Sequence, residues 1–147
     1  MIVGLRFNKI LVEKDTSKDK AKISKIETKT DIINVEEEKI DMNDKKALKF
    51  NFLFNAIYHP EISKLTFEGS VLFLESPDQV DKILDSWKKK DLPVEIRVDI
   101  LNTIFNKCNL KALELEQDFN LPPHFPLPKF STKDKENPNE AKTNYAG

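Results

Sequence analysis

Between Leu48 and Phe73 the chain alternates with a period of two. Leu48, Phe50, Phe52, Phe54, Ala56 and Tyr58 make one run, and Leu65, Phe67, Gly69, Val71 and Phe73 make the next. A strand turns successive side chains to opposite faces, so this period commits both runs to strands with one buried face. His59-Pro60-Glu61 lies between them. Proline fixes its own φ and lacks a donor, which predicts a hairpin about a loop at residues 59–62. In that register Phe54 stands opposite Phe67, and Phe52 stands opposite Gly69, where its ring covers backbone that a glycine leaves bare.

Residues 3–13 predict a further strand, with Val3, Leu5, Phe7 and Leu11 on one face and Arg6 and Asn8 on the other. A polar turn at residues 15–20 leads to residues 23–40, rich in β-branched side chains. These predict a second strand, with an irregularity expected near Thr30-Asp31. Asp41-Met42-Asn43-Asp44 reads as the turn before the third strand.

Ser76-Pro77-Asp78-Gln79 is a helix start, with serine as N-cap, proline at the first position, an acid in the first turn and glutamine closing a capping box. Val80, Ile83, Leu84 and Trp87 follow at helical spacing, and Lys88-Lys89-Lys90 suits the negative end of the dipole. Pro93 opens a longer helix reaching about Asp118. Its apolar positions include Val94, Val98, Leu101, Ile104, Phe105, Cys108, Ala112 and Leu115, widened by Ile96, Ile100 and Leu113. A stripe that broad implies contacts on more than one side.

Leu121-Pro122-Pro123-His124-Phe125-Pro126-Leu127-Pro128 lacks too many donors for helix or inner strand and predicts an extended polyproline strap. Residues 131–147 are polar and offer nothing to offset the entropy of ordering, so a disordered tail is expected. The fold class is therefore α+β: a four-stranded antiparallel sheet, two helices on one face, and a strap. Residues 1–130 are expected to form one domain.

The chemistry found is sparse. Three glycines exclude a phosphate-cradling loop or dinucleotide fingerprint. Cys108 is the one cysteine, so no internal disulfide or cysteine-based metal site is possible, and a reducing cytoplasm is the simplest compartment. It reads as an unreactive core thiol, and His59 as a loop residue. Glu36-Glu37-Glu38 and Glu114-x-Glu116 read as solvated faces. Lys+Arg 24 against Asp+Glu 25, interspersed, offer no basic footprint for nucleic acid or anionic lipid. No apolar run is long enough to span a membrane, and the start lacks a secretory signal. Neither an enzyme nor a cofactor is expected.

Apolar side chains are also left over. Leu53 and Ile57 lie opposite the phenylalanines of the third strand, and Leu72 and Leu74 opposite those of the fourth. Helices covering one face leave these four on the other, which predicts a homo-oligomer interface there.

The order of four antiparallel strands, the long helix beginning Pro93-x-x-x-Arg97 and a strap ending Leu127-Pro128-x-Phe130 resemble the SecB-like family of export chaperones, in particular its small archaeal-type relatives. The resemblance spans about residues 3–130. It implies a dimer or tetramer that holds unfolded polypeptides in apolar grooves without nucleotide. Bacterial members continue past the strap into another amphipathic helix and an acidic tail, whereas this chain turns into Ser131-Thr132-Lys133-Asp134. Delivery to an export motor is thus not implied.

The expected function is an ATP-independent holdase. The alternative is a non-catalytic structural or adaptor module whose apolar sheet face serves self-assembly. A polyproline helix repeats every three residues, which would align Leu121, His124, Leu127 and Phe130 along one edge, with Phe125 beside it. Either that strip docks on the long helix near Leu115 and Phe119 and closes the fold, or one edge stays open. In the second case it lines a polypeptide groove with Leu110 and Leu113.

Overall fold

The computed structural model describes residues 1–40, 44–128, 130 and 132. Strands β1 (Ile2–Lys14), β2 (Lys25–Glu38), β3 (Lys46–His59) and β4 (Ser63–Glu75) are followed by helices α1 (Pro77–Lys88) and α2 (Val94–Asp118). The sheet is antiparallel throughout, in the order β1-β4-β3-β2. The two strands with the strictest alternation therefore sit at the centre, where one whole face is buried. The architecture is the α+β arrangement predicted. The turn expected at Asp41-Met42-Asn43-Asp44 and the tail expected at residues 131–147 fall outside the described residues, apart from Asp44 and Thr132.

The hairpin register is as expected, Phe54 opposite Phe67 and Phe52 opposite Gly69. Phe50, Phe52, Phe54, Tyr58 and Phe67 are fully buried beneath Val80 and Ile83 of α1 and Ile100 and Ile104 of α2. The chain reaches the far edge of the sheet by passing around the end of this hairpin. Asp15 N–H donates to Ile62 O (2.9 Å) and Ser24 N–H to His59 O (3.0 Å).

The outer strands depart from the expectation for a reason of parity. Ile32 and Val35 both belong to the core side, yet residues three apart in a regular strand face opposite ways. A bulge at Ile33, two residues past the expected Thr30-Asp31, supplies the extra residue. Ile33 is left exposed while Val35 is buried. In β1, register shifts between Ile2 and Gly4 and between Phe7 and Lys9 do the same, so that Phe7 stands opposite Gly69 but Val12 opposite Leu65. Val3 and Leu11 consequently do not share the face of Leu5 and Phe7: Val3 sits in the first bulge and Leu11 pairs with Thr66 on the outer side.

Helix α1 starts at Pro77 with Ser76 as N-cap, but the serine side chain makes no capping bond and the capping box with Gln79 does not form. Instead, Ser76 N–H donates to the Glu75 carboxylate (3.2 Å). Asp78 and Gln79 are exposed, so water can serve the first amides. Both helices stop in the same way. Lys90 (φ 54°) and Asn120 (φ 55°) adopt the left-handed conformation. Their N–H groups donate to Trp87 O and Gln117 O, and the next residues, Asp91 and Leu121, donate to Ser86 O and Glu116 O. This double bond pattern closes a helix and throws the chain sharply sideways.

Candidate functional site: the strap and its groove

The stop of α2 aims the strap. Asn120 reverses the chain, Leu121 is buried in the core, and the Tyr58 hydroxyl donates to Pro122 O (2.7 Å). Burial, followed by the nearby Glu116 charge, raises the Tyr58 phenol above its ordinary range. Three residues on, His124 is held from two directions. Its N–H donates to Glu116 Oε2 (3.0 Å), and its ring Nδ1 meets the same carboxylate, closest at Oε1. Its Nε2 lies 2.7 Å from Asn109 Oδ1. Both the Glu116 and His124 side chains are only 2% exposed. The ring stands edge-on to Phe54 at 6.3 Å and to Phe125 at 4.8 Å. A carboxylate this deep is tolerated only when its oxygens are answered, and this cluster answers them. Among the described residues no buried side-chain nitrogen or oxygen lacks a partner.

Helix geometry explains why Glu116 is there. Ile96, Ile100, Ile104, Cys108, Ala112 and Glu116 recur every fourth residue. The last five are buried, with Ile96 packed against the core at its margin. Glu116 thus ends the core stripe and is not the solvated residue that Glu114-x-Glu116 was expected to provide. Asn109 lies on the side toward the strap. Cys108, deep in the same stripe, is a core thiol, and burial pushes it up to about 12.

Beyond His124 the strap stands away from the sheet and leaves an open groove of about 650 Å³. Ile23 and Ser24, just before β2, and Lys25 and Ile26, at its start, form one wall, and Phe125 and Leu127 of the strap form the other. A second depression of about 460 Å³ lies on the helix side, between Leu113 and Gln117 of α2 and Leu127. The rim on β2 is charged. Glu27 stands 3.6 Å from Lys29, 3.7 Å from Lys25 and 3.8 Å from His59. Lys29, with Lys25 and His59 adding to it, holds the Glu27 carboxyl below its usual range.

The seven residues expected to bind polypeptide separate accordingly. Leu121 and His124 are held inward and fix the strap, His124 also bordering the open groove and Leu121 the second depression; Phe125 and Leu127 line the open groove, and Leu113 and Leu127 line the second. Phe130 is 65% exposed further along. Leu110, 68% exposed, borders neither depression. The three-residue edge is therefore buried at Leu121 and His124 and exposed to solvent at Leu127 and Phe130. Sequence reading missed Glu116, Asn109, Tyr58 and the β2 wall. A glutamate in phase with four buried positions was the signal for the first; nothing local marked the rest.

Of the four residues expected at a self-association interface, Leu53, Ile57 and Leu72 are half-buried and Leu74 is buried within the protomer. More apolar surface lies on α2, where Val94 (62%), Val98 (45%) and Phe105 (46%) stand exposed, spaced by four and seven residues.

Among the described residues, no group of three or more His, Cys, Asp or Glu could hold a metal ion, and no helix is long and apolar enough to cross a membrane. No protein-family model matches the sequence, and no curated protein matches it. Among solved structures the chain is similar to the Mycobacterium tuberculosis Rv1957 SecB-like chaperone, solved in complex with a ChAD peptide from the Rv1956 HigA1 antitoxin. The two share 11% identity and a TM-score of 0.42, over 84% of this chain and 85% of that one.

Proposed function

We propose that the protein is a polypeptide-binding module that holds extended, unfolded segments without nucleotide. The observation that carries this reading is the open groove beside the strap, with exposed Phe125 and Leu127 along one wall and half-buried Ile23 and Ile26 along the other. The strap is pre-ordered by Tyr58, Glu116 and Asn109, so little entropy is lost when a segment docks against it. An aggregation assay with a denatured substrate tests the reading; no suppression at stoichiometric amounts would rule it out.

A variant locates the site. Phe125→Ser with Leu127→Ser removes side chains that are 37% and 48% exposed. It is expected to change unfolding free energy by less than about 1 kcal/mol. Affinity for an unfolded client should fall by roughly ten-fold or more, the loss of two apolar contacts. Unchanged affinity would move the site elsewhere.

The protein acts as a homo-oligomer in this reading, and Val94, Val98 and Phe105 of α2 supply the apolar contact, with the outer-face Leu53, Ile57 and Leu72 secondary because they are half-buried already. Light scattering should return a multiple of the 17.0 kDa chain. Val98→Glu, a charge in an apolar contact, should shift it toward the monomer. A monomer mass for the unchanged protein at high concentration would defeat this.

The rival reading, a structural or adaptor module, keeps the oligomer and gives the groove one fixed partner. It predicts no suppression of aggregation by the intact protein.

A further inference from the structure

We infer that β2 joins two copies of the chain: their β2 edges pair antiparallel over residues 25–31, about a two-fold axis at Thr28, and the two sheets become one. This rests on the self-association proposed above and adds where copies meet and in which register. It does not depend on what the groove binds.

Among the described residues β2 is an edge strand paired with β3 alone, and no other backbone hydrogen bond reaches residues 25–32. An edge presents alternate N–H and C=O groups that another extended backbone satisfies. Bulges ordinarily blunt such edges, and β1, at the other edge, has two register shifts. Residues 25–32 run without one until the bulge at Ile33, which makes them the longest regular stretch on either edge.

Charge selects both the occupant and the register. Lys25, Glu27, Lys29 and Asp31 alternate in sign along the outer face of the sheet. Within one chain Glu27 is answered by Lys25 (3.7 Å) and Lys29 (3.6 Å), whereas exposed Asp31 has no ion-pair partner among the described residues. Opposed residues of an antiparallel pair share a face, so the axis must fall at a residue and not between two. Centred on Glu27, the pairing sets Glu27 against itself and Lys25 against Lys29. Centred on Lys29, it sets Lys29 against itself and Glu27 against Asp31. Like charges directly opposite each other disfavour both. Centred on Thr28, Lys25 meets Asp31 and Glu27 meets Lys29, each twice by symmetry, and Thr28 meets Thr28. Centres at Ile26 or Thr30 keep fewer opposite-charge pairs, and the second runs into the bulge. Charges that would guard an edge against other strands therefore attract this one. The same register carries Ile33, 53% exposed at its bulge, to the level of Ile23 of the other copy. Helices of both copies then lie on one side of the joined sheet, and the exposed stripe of α2 stays free for its own contact.

Hydrogen exchange over a dilution series of the full chain reads this contact apart from α2. Alternate amides of residues 25–31 should be protected at high concentration and released on dilution. Two variants reverse charge: Lys25→Glu with Lys29→Glu makes the edge wholly acidic, and Glu27→Lys with Asp31→Lys makes it wholly basic. Each alone should need roughly a hundred-fold higher concentration for the same protection, and an equimolar mixture should recover to within about ten-fold, since unlike edges then oppose. Thr28→Cys should form a disulfide between copies under mild oxidation, because the axis brings position 28 against itself. Lys29→Cys, offset by two residues, should not. Equal protection in parent and variants, no recovery in the mixture, or cross-linking at position 29 and not 28 overturns the inference and leaves the α2 contact standing. Protection that follows an added denatured client and not concentration assigns the edge to polypeptide and likewise overturns it. If the unchanged chain is a monomer at high concentration, self-association fails and this inference fails with it.

Discussion

Glu116→Ala is expected to cost about 3 to 5 kcal/mol of unfolding free energy, because it removes one member of a buried, mutually satisfied pair. The Glu116 carboxylate accepts from both the backbone and the ring of His124, and the two side chains are 2% exposed. With the carboxylate gone, the His124 N–H and Nδ1 lose their partner at a depth where water does not replace it, and a void opens at the end of the α2 stripe. Urea unfolding measures the cost. Glu114→Ala, two residues earlier on the exposed side of α2, is the control and should fall within about 0.5 kcal/mol. Glu116→Gln should lie between, since it keeps a polar group of the same shape. Hydrogen exchange adds a local readout: amides near His124 should open in Glu116→Ala before those of β3. A loss below about 1 kcal/mol would mean that the strap is held by Leu121 and Tyr58 alone.

The same cluster connects stability to function. A proline-rich segment has few donors of its own and cannot join a sheet or helix, so its position must come from side chains. Here one tyrosine, one glutamate and one asparagine supply it, and the groove wall at Phe125 and Leu127 begins where their hold ends. Loosening the latch should therefore weaken client binding as well as stability. Removing Phe125 and Leu127 should affect binding alone.

Much of this fold was legible because its signals are local. The period of two at residues 48–58 and 65–73 fixed both central strands and their register, since a one-residue slip would turn every phenylalanine outward. Ser76-Pro77 marked the start of α1 through the stereochemistry of proline. The strand order was not legible. The passage of residues 15–24 around the hairpin end rests on Asp15 to Ile62 and Ser24 to His59 bonds between residues far apart in sequence. The bulges of β1 were not read and that of β2 was expected two residues early, because parity between distant core positions, Ile32 with Val35 and Phe7 with Val12, decides them and no residue type does. The ends of both helices were legible, near Lys88 and Asp118, but the way they close was not, because Lys90 and Asn120, not glycine, take the left-handed position. Of the candidate site, the strap was visible in its prolines, whereas its second wall at Ile23 and Ile26 comes from a strand about a hundred residues away in the chain and carries no mark of proximity.

Gly69→Ala should be nearly as damaging, at about 3 kcal/mol, although it adds a single methyl group. A Cβ at this position would press into the carbonyl oxygen of Arg6 and come within 2.8 and 3.0 Å of the Phe52 ring. The ring could turn aside at modest cost, but the Arg6 oxygen is backbone in the β1–β4 pairing, where Arg6 stands opposite Ser70 and Phe7 opposite Gly69. Relief therefore requires β1 to move beside its second bulge, which disturbs Phe7 and its edge-on contacts with Phe52 and Phe67. Glycine here serves close approach and not a special φ, since no glycine among the described residues has positive φ. Urea midpoints compare Gly69→Ala with Gly4→Ala, whose added Cβ would meet nothing within 4 Å and should change stability by no more than about 0.5 kcal/mol. A second comparison separates the two clashes. If the ring were the obstacle, Phe52→Leu in the Gly69→Ala background would restore stability; with the Arg6 carbonyl as the obstacle, it recovers less than about 1 kcal/mol and adds its own core loss. Equal midpoints for Gly69→Ala and Gly4→Ala would show that β1 yields freely at this point and that its pairing with β4 contributes little to the fold.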